Sequence, residues 1–444
     1  MDVYAGCAID YRGSSVTPQN FINVLTGANA SAVAAAAAEQ EAAVGIVGNT
    51  TCKRSTTTCG DGSTCCCTKN GRFPWSACKA FTCCKSGEAC MKQGPLAGVN
   101  AACKVVSTGR VLKSTSASKV FVNFVDHGGV GIIGFQDKTM HAKELMGALQ
   151  TMHDKGMYKE LVFYMEACES GSMFQDLPKN ISVYATTAAN AKESSWGTYC
   201  APHDLVDGKN MNTCLGDLYS VNWMENDDSL KDLSSETLTK QYQVVKKLTN
   251  KSHVLQFGDA KKKIVQEPVG NFQGGKGDRA VQLLRSFGFE GRALSTGNAA
   301  ARSAMDLLKD ASAVDSRDIA ASTLFHVYQR RSTAGAGRAD APARKAAARA
   351  LIAEVESRER SDDLFYDLIP AAVFGMEKGA TLSDPDLYMD PEATECHRAA
   401  HAAYDRFCGG YTDYSLKHVR VVVNMCEALG GEAAPIVKAM EALC

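Results

Sequence analysis

Two short segments carry side chains able to do covalent chemistry: Asp126-His127-Gly128-Gly129 and Glu166-Ala167-Cys168-Glu169-Ser170-Gly171-Ser172. A free thiol is only a few per cent ionised at neutral pH, so a nucleophilic cysteine needs a base. An imidazole beside it supplies that base and can then protonate a departing amine. The small residues around both side chains permit close backbone approach, and the N–H groups of Gly128 and Cys168 can donate to an oxyanion. A lone cysteine or histidine is ordinarily structural. The functional reading depends on where the chain puts each one.

Each segment follows an apolar run, Val120-Phe121-Val122-Asn123-Phe124-Val125 and Leu161-Val162-Phe163-Tyr164-Met165. Runs with so little polar interruption suit strands buried on both faces. A helical stretch from about His141 to Lys155 separates them, which makes a βαβ unit with parallel, neighbouring strands and a right-handed crossover. Ile181-Ser182-Val183-Tyr184-Ala185 is expected to be a third strand. Open α/β sheets bind ligands outside the carboxyl ends of their strands, where His127 and Cys168 both fall. The expected fold class is α/β, a mostly parallel sheet flanked by helices.

The 444 residues suffice for two or three domains, and 45 % apolar with 22 % charged residues is ordinary globular composition. With 48 basic against 49 acidic residues, no electrostatic attraction to nucleic acid or to a membrane surface is expected. No apolar run is long enough to span a membrane. The expected partners are therefore peptides or proteins. Eighteen cysteines point to an oxidising compartment, although Met1-Asp2-Val3-Tyr4 opens no signal peptide.

Along the chain, residues 1–28 and 106–260 read as one α/β unit split by an insertion at 29–105. That insertion is alanine-rich first, then packs ten cysteines between Cys52 and Cys103, so disulfides rather than an apolar core are expected to hold it. Residues 261–298, with Lys261-Lys262-Lys263 and Gly274-Gly275-Lys276-Gly277, have linker chemistry and invite proteolysis. Residues 299–444 are rich in Ala, Leu, Arg and Glu and are expected to form a separate helical domain.

The two reactive segments resemble the signature segments of the legumains, the asparaginyl endopeptidases of peptidase family C13 that include vacuolar processing enzymes. The likeness continues through Tyr184-Ala185-Thr186-Thr187-Ala188-Ala189-Asn190, Glu193-Ser194-Ser195-Trp196-Gly197-Thr198-Tyr199-Cys200 and the stretch from Cys214-Leu215-Gly216-Asp217 to Asn222-Trp223-Met224-Glu225. The resemblance implies a caspase-like fold and cleavage after Asn, or after Asp at low pH, with Cys168 as nucleophile and His127 as base and acid. It maps the substrate (S1) pocket onto Glu166, Ser194, Ser195 and Asp217. Such a polar set can pair a primary amide fully, whereas an apolar side chain would leave buried polar groups unsatisfied. Asp126 is a secondary candidate, as holder of His127 or as an unrelated turn acid. Peptide ligation competes with hydrolysis, since a thioester accepts an amine as well as water. Asn222 matches a position that biases that balance.

The closing segment, with Tyr414-Ser415-Leu416-Lys417-His418 and Val423-Asn424-Met425-Cys426, resembles the legumain C-terminal prodomain, a death-domain-like inhibitory cap. By that resemblance Cys396 pairs with Cys426, Cys408 with Cys444, and Cys200 with Cys214. Asn271, Asn298 and Asp278 are the candidate autocleavage sites. No cofactor and no metal are implied. The implied partners are peptide and protein substrates, the chain's own prodomain and cystatin-like inhibitors, in a lysosomal, vacuolar or secreted setting. Relative to the family, a first strand and helix are expected to be missing ahead of Asp2, with an Asn that orients the histidine and an Arg and a His of the S1 pocket. The alternative to an enzyme is then a catalytically inactive relative that binds peptides.

Overall fold

The computed structural model describes residues 9–28, 109–135, 138–230, 232–261, 263–274, 312–333, 341–375, 382–383 and 394–444, with the backbone of four strands between 65 and 105. The chain divides into two compact units, Met1–Ser114 with Thr151–Met157, and Thr115–Gln150 with Tyr158–Cys444.

In the first unit, α1 (Pro18–Thr26) starts where Thr17 accepts the N–H of Asn20 at 3.1 Å and stops at Gly27, whose φ of 65° is left-handed. The Val24 carbonyl accepts the N–H of Leu112 at 3.0 Å. Within the cysteine-rich insertion, Cys65–Lys69 pairs antiparallel with Ala80–Cys83, and Glu88–Lys92 with Ala101–Val105.

The second unit is built on a sheet of β1 (Lys119–Val125), β2 (Glu160–Glu166), β3 (Val183–Thr187) and β4 (Leu255–Gly258), in the order β4-β3-β2-β1. β1 and β2 are parallel, as are β2 and β3; β4 joins antiparallel. β2 is central, and Leu161 to Met165 are all buried, which is why its apolar run does not alternate. Val162 and Tyr164 face a core shared with α3 (Leu218–Asp228) and α4 (Leu238–Leu248) through Tyr219, Leu238 and Val245. On the opposite face Phe163 meets Phe174 edge-on at 5.3 Å. The crossover helix is α2 (Ala142–Asp154). The third strand begins two residues later than the apolar pattern predicts, because Asn180 and Ser182 take left-handed φ values of 73° and 55° and prolong the turn.

Most of the described residues beyond 315 are helical, with α5 (Ile319–Thr333), α6 (Ala341–Asp363), α7 (Thr394–Ala403), α8 (Val419–Ala428) and α9 (Ala434–Leu443). Their core includes Phe365, Ile369, Ala400, Val422, Met425, Ile436 and Met440. Disulfides Cys396–Cys426 and Cys408–Cys444 tie these helices together. A third, Cys200–Cys214, closes a surface loop. The helices meet the sheet unit through a cluster of Val130, Ile132, Leu416, Val419 and Val423. Among the described residues no helix is long and apolar enough to cross a membrane.

Candidate active site

The register of β1 against β2 pairs Val125 with Glu166, so the two strands end level and their next residues share one edge of the sheet. Asp126 donates its N–H to the Glu166 carbonyl at 3.2 Å. Gly128 packs so closely on the other turn that a Cβ there would lie 2.4 Å from the Cys168 carbonyl oxygen. Gly129 serves a different neighbour: a Cβ would come 3.0 Å from the Leu416 carbonyl. The small residues after Cys168 have similar reasons. The Ser172 hydroxyl donates to the Glu169 carbonyl at 2.6 Å and accepts the Gly131 N–H at 2.7 Å, while a Cβ at Gly171 would meet the Asn190 backbone at 2.9 Å.

Cys168 is 1 % exposed and is the free cysteine among the described residues. Its sulfur accepts the Ser195 N–H at 3.4 Å and lies 3.7 Å from the Ser195 hydroxyl. Burial pushes the thiol up to about 12 despite the opposing charge of Arg317, so the sulfur is protonated in this state. Among the described residues no hydrogen bond joins Cys168 to His127. The imidazole instead points its Nε2 at Asp413 Oδ2, 3.3 Å away. Burial alone would lower the pKa of His127; the Asp413 carboxylate, helped by Asp126 and Asp217, outweighs it and raises the value. Asp126 Oδ1 accepts the N–H of His127 at 2.7 Å, and burial raises the Asp126 carboxyl.

A cavity of about 740 Å³ opens beside these groups, with Glu166, Ser195 and Asp217 in its wall together with Asp126 and His127. Glu166 is 2 % exposed; its Oε2 accepts both the N–H and the hydroxyl of Ser220 at 2.8 Å, while Oε1 is buried with no partner among the described residues. Burial, and then the Asp217 charge, push Glu166 well above the usual carboxylate range. Burial pushes Asp217 up to about 6 against the pull of His127. Two such carboxyls, partly protonated, can donate as well as accept.

Val125 and the Asn212–Gly216 loop add to the wall, and the helical region closes it with Ser316, Ile319, Ala320, Thr323, Leu324 and Asp413. Val314 and Asp315 pair antiparallel with Gly197 and Trp196, and Ser316 donates its N–H to the Ser195 carbonyl at 3.1 Å. Arg317 donates to the Glu169 carboxylate, and both side chains are largely buried. Glu169, Ser316, Arg317 and Asp413 escape a reading of the sequence. Glu169 stands inside a recognisable segment, but its partner is 148 residues away.

Of the other expected residues, Ser194 is half-buried and is not part of the cavity wall, unlike Ser195. Asn222 is fully buried on α3 and donates to the Thr249 hydroxyl at 3.1 Å, away from the cavity. Asn271 is exposed but sits in the helical turn Gly270–Gln273, its amide donating to Glu267 at 2.6 Å. Asp278 and Asn298 lie outside the described residues, as does most of the expected linker.

Residues 1–41 and 94–275 match the Peptidase C13 family, and residues 349–444 match the legumain prodomain. The chain is 32 % identical over 352 residues to a vacuolar-processing enzyme of Phaseolus vulgaris, an alignment covering 76 % of this chain and 65 % of that protein. It is 49 % identical over 275 residues to legumain of Homo sapiens, covering 62 % of this chain and 45 % of the human protein. Legumain of Bos taurus is 49 % identical over 179 residues, 40 % of this chain and 39 % of the bovine one. The chain thus spans just under two thirds of the length of the plant relative.

Proposed function

Since this chain belongs to the peptidase C13 family, we propose that it is the zymogen of a cysteine endopeptidase that hydrolyses peptide bonds after asparagine, and after aspartate at low pH. The observation that carries the reading is the convergence of His127 and Cys168 on adjacent, parallel strand ends beside a cavity walled by Glu166, Ser195 and Asp217. An asparagine amide offers one acceptor and two donors. The two carboxyls and the hydroxyl pair all three, which an apolar side chain could not reward.

In the proposed reaction His127, freed from Asp413, takes the thiol proton and the sulfur attacks the carbonyl carbon. The oxyanion is received by the N–H groups of Gly128 and Cys168. His127 then gives its proton to the leaving amine, and the thioester left on Cys168 is hydrolysed by water that His127 deprotonates. Residues 312–444 act as the inhibitor: they close the cavity, hold the imidazole and bury a protonated thiol. Removal of this region starts activity. The three disulfides among the described residues suit an oxidising compartment, in keeping with a lysosomal, vacuolar or secreted enzyme.

The test is cleavage of an Ala-Ala-Asn reporter by acid-treated protein, expected in the parent and absent in Cys168→Ala. Full turnover in that variant overturns the assignment.

A further inference from the structure

Val314–Asp315 lies along the cleft as a short added strand and runs on into a helical turn, Ser316–Asp318, at the cavity; the side chains of this segment mark where those of a peptide would go. Val314 and Asp315 pair antiparallel with Gly197 and Trp196, and Ser316 donates its N–H to the Ser195 carbonyl at 3.1 Å. Main-chain pairing of this kind fixes the register of an added strand. In that register the Ser316 side chain lies against the acid-walled cavity, its hydroxyl 3.1 Å from that of Ser195. Ser195 in turn touches the Cys168 sulfur through its N–H. Ser316 thus sits at the cavity and Arg317, the next residue, sits on Glu169, the neighbour of the nucleophile, so Ser316 marks the position before a cleaved bond and Arg317 the position after it.

Arg317 is met there by Glu169, whose side chain is 5 % exposed. Glu169 follows Cys168 directly and holds a left-handed φ of 47°, which a residue with a Cβ seldom adopts. Its placement does not depend on Arg317. The Glu169 carbonyl accepts the N–H and the hydroxyl of Ser172 at 2.8 and 2.6 Å, and its N–H donates to Glu193 at 2.8 Å. Burial raises the Glu169 carboxyl above its ordinary value, and two cations oppose that rise, Arg317 and Arg420, both of the inhibitory region. When that region leaves, Glu169 stays anchored by its backbone beside the nucleophile and loses both cations.

We propose that Glu169 is a specificity-determining residue for the position after the cleaved bond, where it selects arginine or lysine. The inference rests on the reading of the protein as an endopeptidase that cuts after asparagine. A basic residue at that position restores a charge-assisted hydrogen bond, while an apolar one leaves the carboxylate unpaired and an acidic one adds repulsion.

Internally quenched peptides Ala-Ala-Asn-X, with X as Arg, Lys, Leu or Glu, test it on acid-activated protein. The expected kcat/KM is about ten- to a hundredfold higher for Arg than for Leu, as a charge-assisted hydrogen bond allows, with Glu lowest. Glu169→Gln is expected to collapse that ratio towards one. Equal cleavage of the whole series, or a preference unchanged in Glu169→Gln, overturns the proposal. No cleavage of any member after asparagine would instead refute the function proposed above. A second variant does not touch Glu169. Ser316→Asn in the full-length chain puts an asparagine before Arg317 in the cleft, and a new N-terminus at Arg317 is expected by mass spectrometry on acidification. An intact bond at that position, under conditions where the Ala-Ala-Asn-Arg peptide is cut, overturns the register and the proposal with it.

Discussion

Asp413 Oδ2 sits 3.3 Å from His127 Nε2, so the ring nitrogen needed by a thiol is engaged by a carboxylate of the chain's own closing helical region. Asp413 is thereby lowered and His127 raised. The contribution of a raised histidine is complete below 6.5 and fades as pH rises through its higher folded value. That of a lowered aspartate is complete above 3.8 and is lost as pH falls through its lower folded value. The pair thus holds fully between about 3.8 and 6.5, and mild acid by itself does not break it.

Replacing that carboxylate should therefore release the imidazole electrically. Asp413→Asn, placed in a Cys168→Ala background to prevent self-cleavage, is expected to lower the pKa of His127 in the zymogen, read from its ring proton shifts by NMR. Both side chains are partly exposed, so the stability change should stay within ~1 kcal/mol. An unmoved titration would mean that Asp413 does not govern the ring.

Acid sensitivity has a better source in His141 and His401, whose rings stand 5.1 Å apart. Burial lowers His141 to about 4, and Arg398 adds to this while Glu395 opposes it. Burial, then His141 and His397, hold His401 well below 6.5. Lys143, Asp176 and His397 line the same cavity of about 370 Å³, and Tyr411 packs on His401. Histidines lowered on folding stabilise fully above 6.5, and that stability drains as pH falls towards about 4. For His141 the loss is on the order of 3 kcal/mol. His401→Phe should then retain docked helices at lower pH, measured as a downward shift in the pH midpoint of activation; an unchanged midpoint would clear the pair of that role.

The two glycines after His127 should separate in their effects. Gly128→Ala must displace the Cys168 carbonyl from 2.4 Å, so turnover of the activated enzyme is expected to fall at least tenfold, since misplacing a reacting group by about 1 Å costs up to 10². Gly129→Ala presses on Leu416 and Val419 instead. It should loosen the inhibitory region and speed activation while sparing kcat. Identical phenotypes in the two variants would contradict this division.

The cavity predicts a pH-dependent choice between asparagine and aspartate. Above about 6 an ionised Asp217 repels an aspartate substrate, and below it the protonated carboxyl can donate to one. The ratio of kcat/KM for Asn over Asp peptides should drop at least tenfold from pH 7 to pH 5. Asp217→Asn should flatten that dependence, and a wild-type ratio constant with pH would rule out Asp217 as its origin.

Much of this was legible in the chain because it is local. The apolar runs at 120–125 and 161–165 announce buried strands, the helix between them makes the strands parallel, and the reactive residues follow each strand directly. Periodicity also marks the closing helices. The family resemblance places Ser194 and Ser195 alike in the pocket, and the structure puts only Ser195 in the cavity wall. Asn222 likewise reads as a site residue and is packed against Thr249.

Strand polarity and connection length, both readable along the chain, leave few arrangements other than His127 and Cys168 at one end of a parallel sheet. The tertiary structure decided what meets them. Asp413 takes the imidazole, Ser316 faces the cavity and Arg317 reaches Glu169, all from residues far along the chain. Those pairings follow from how remote apolar faces such as Val130 and Ile132 against Leu416, Val419 and Val423 pack together, and packing between distant segments leaves no periodic trace in either one.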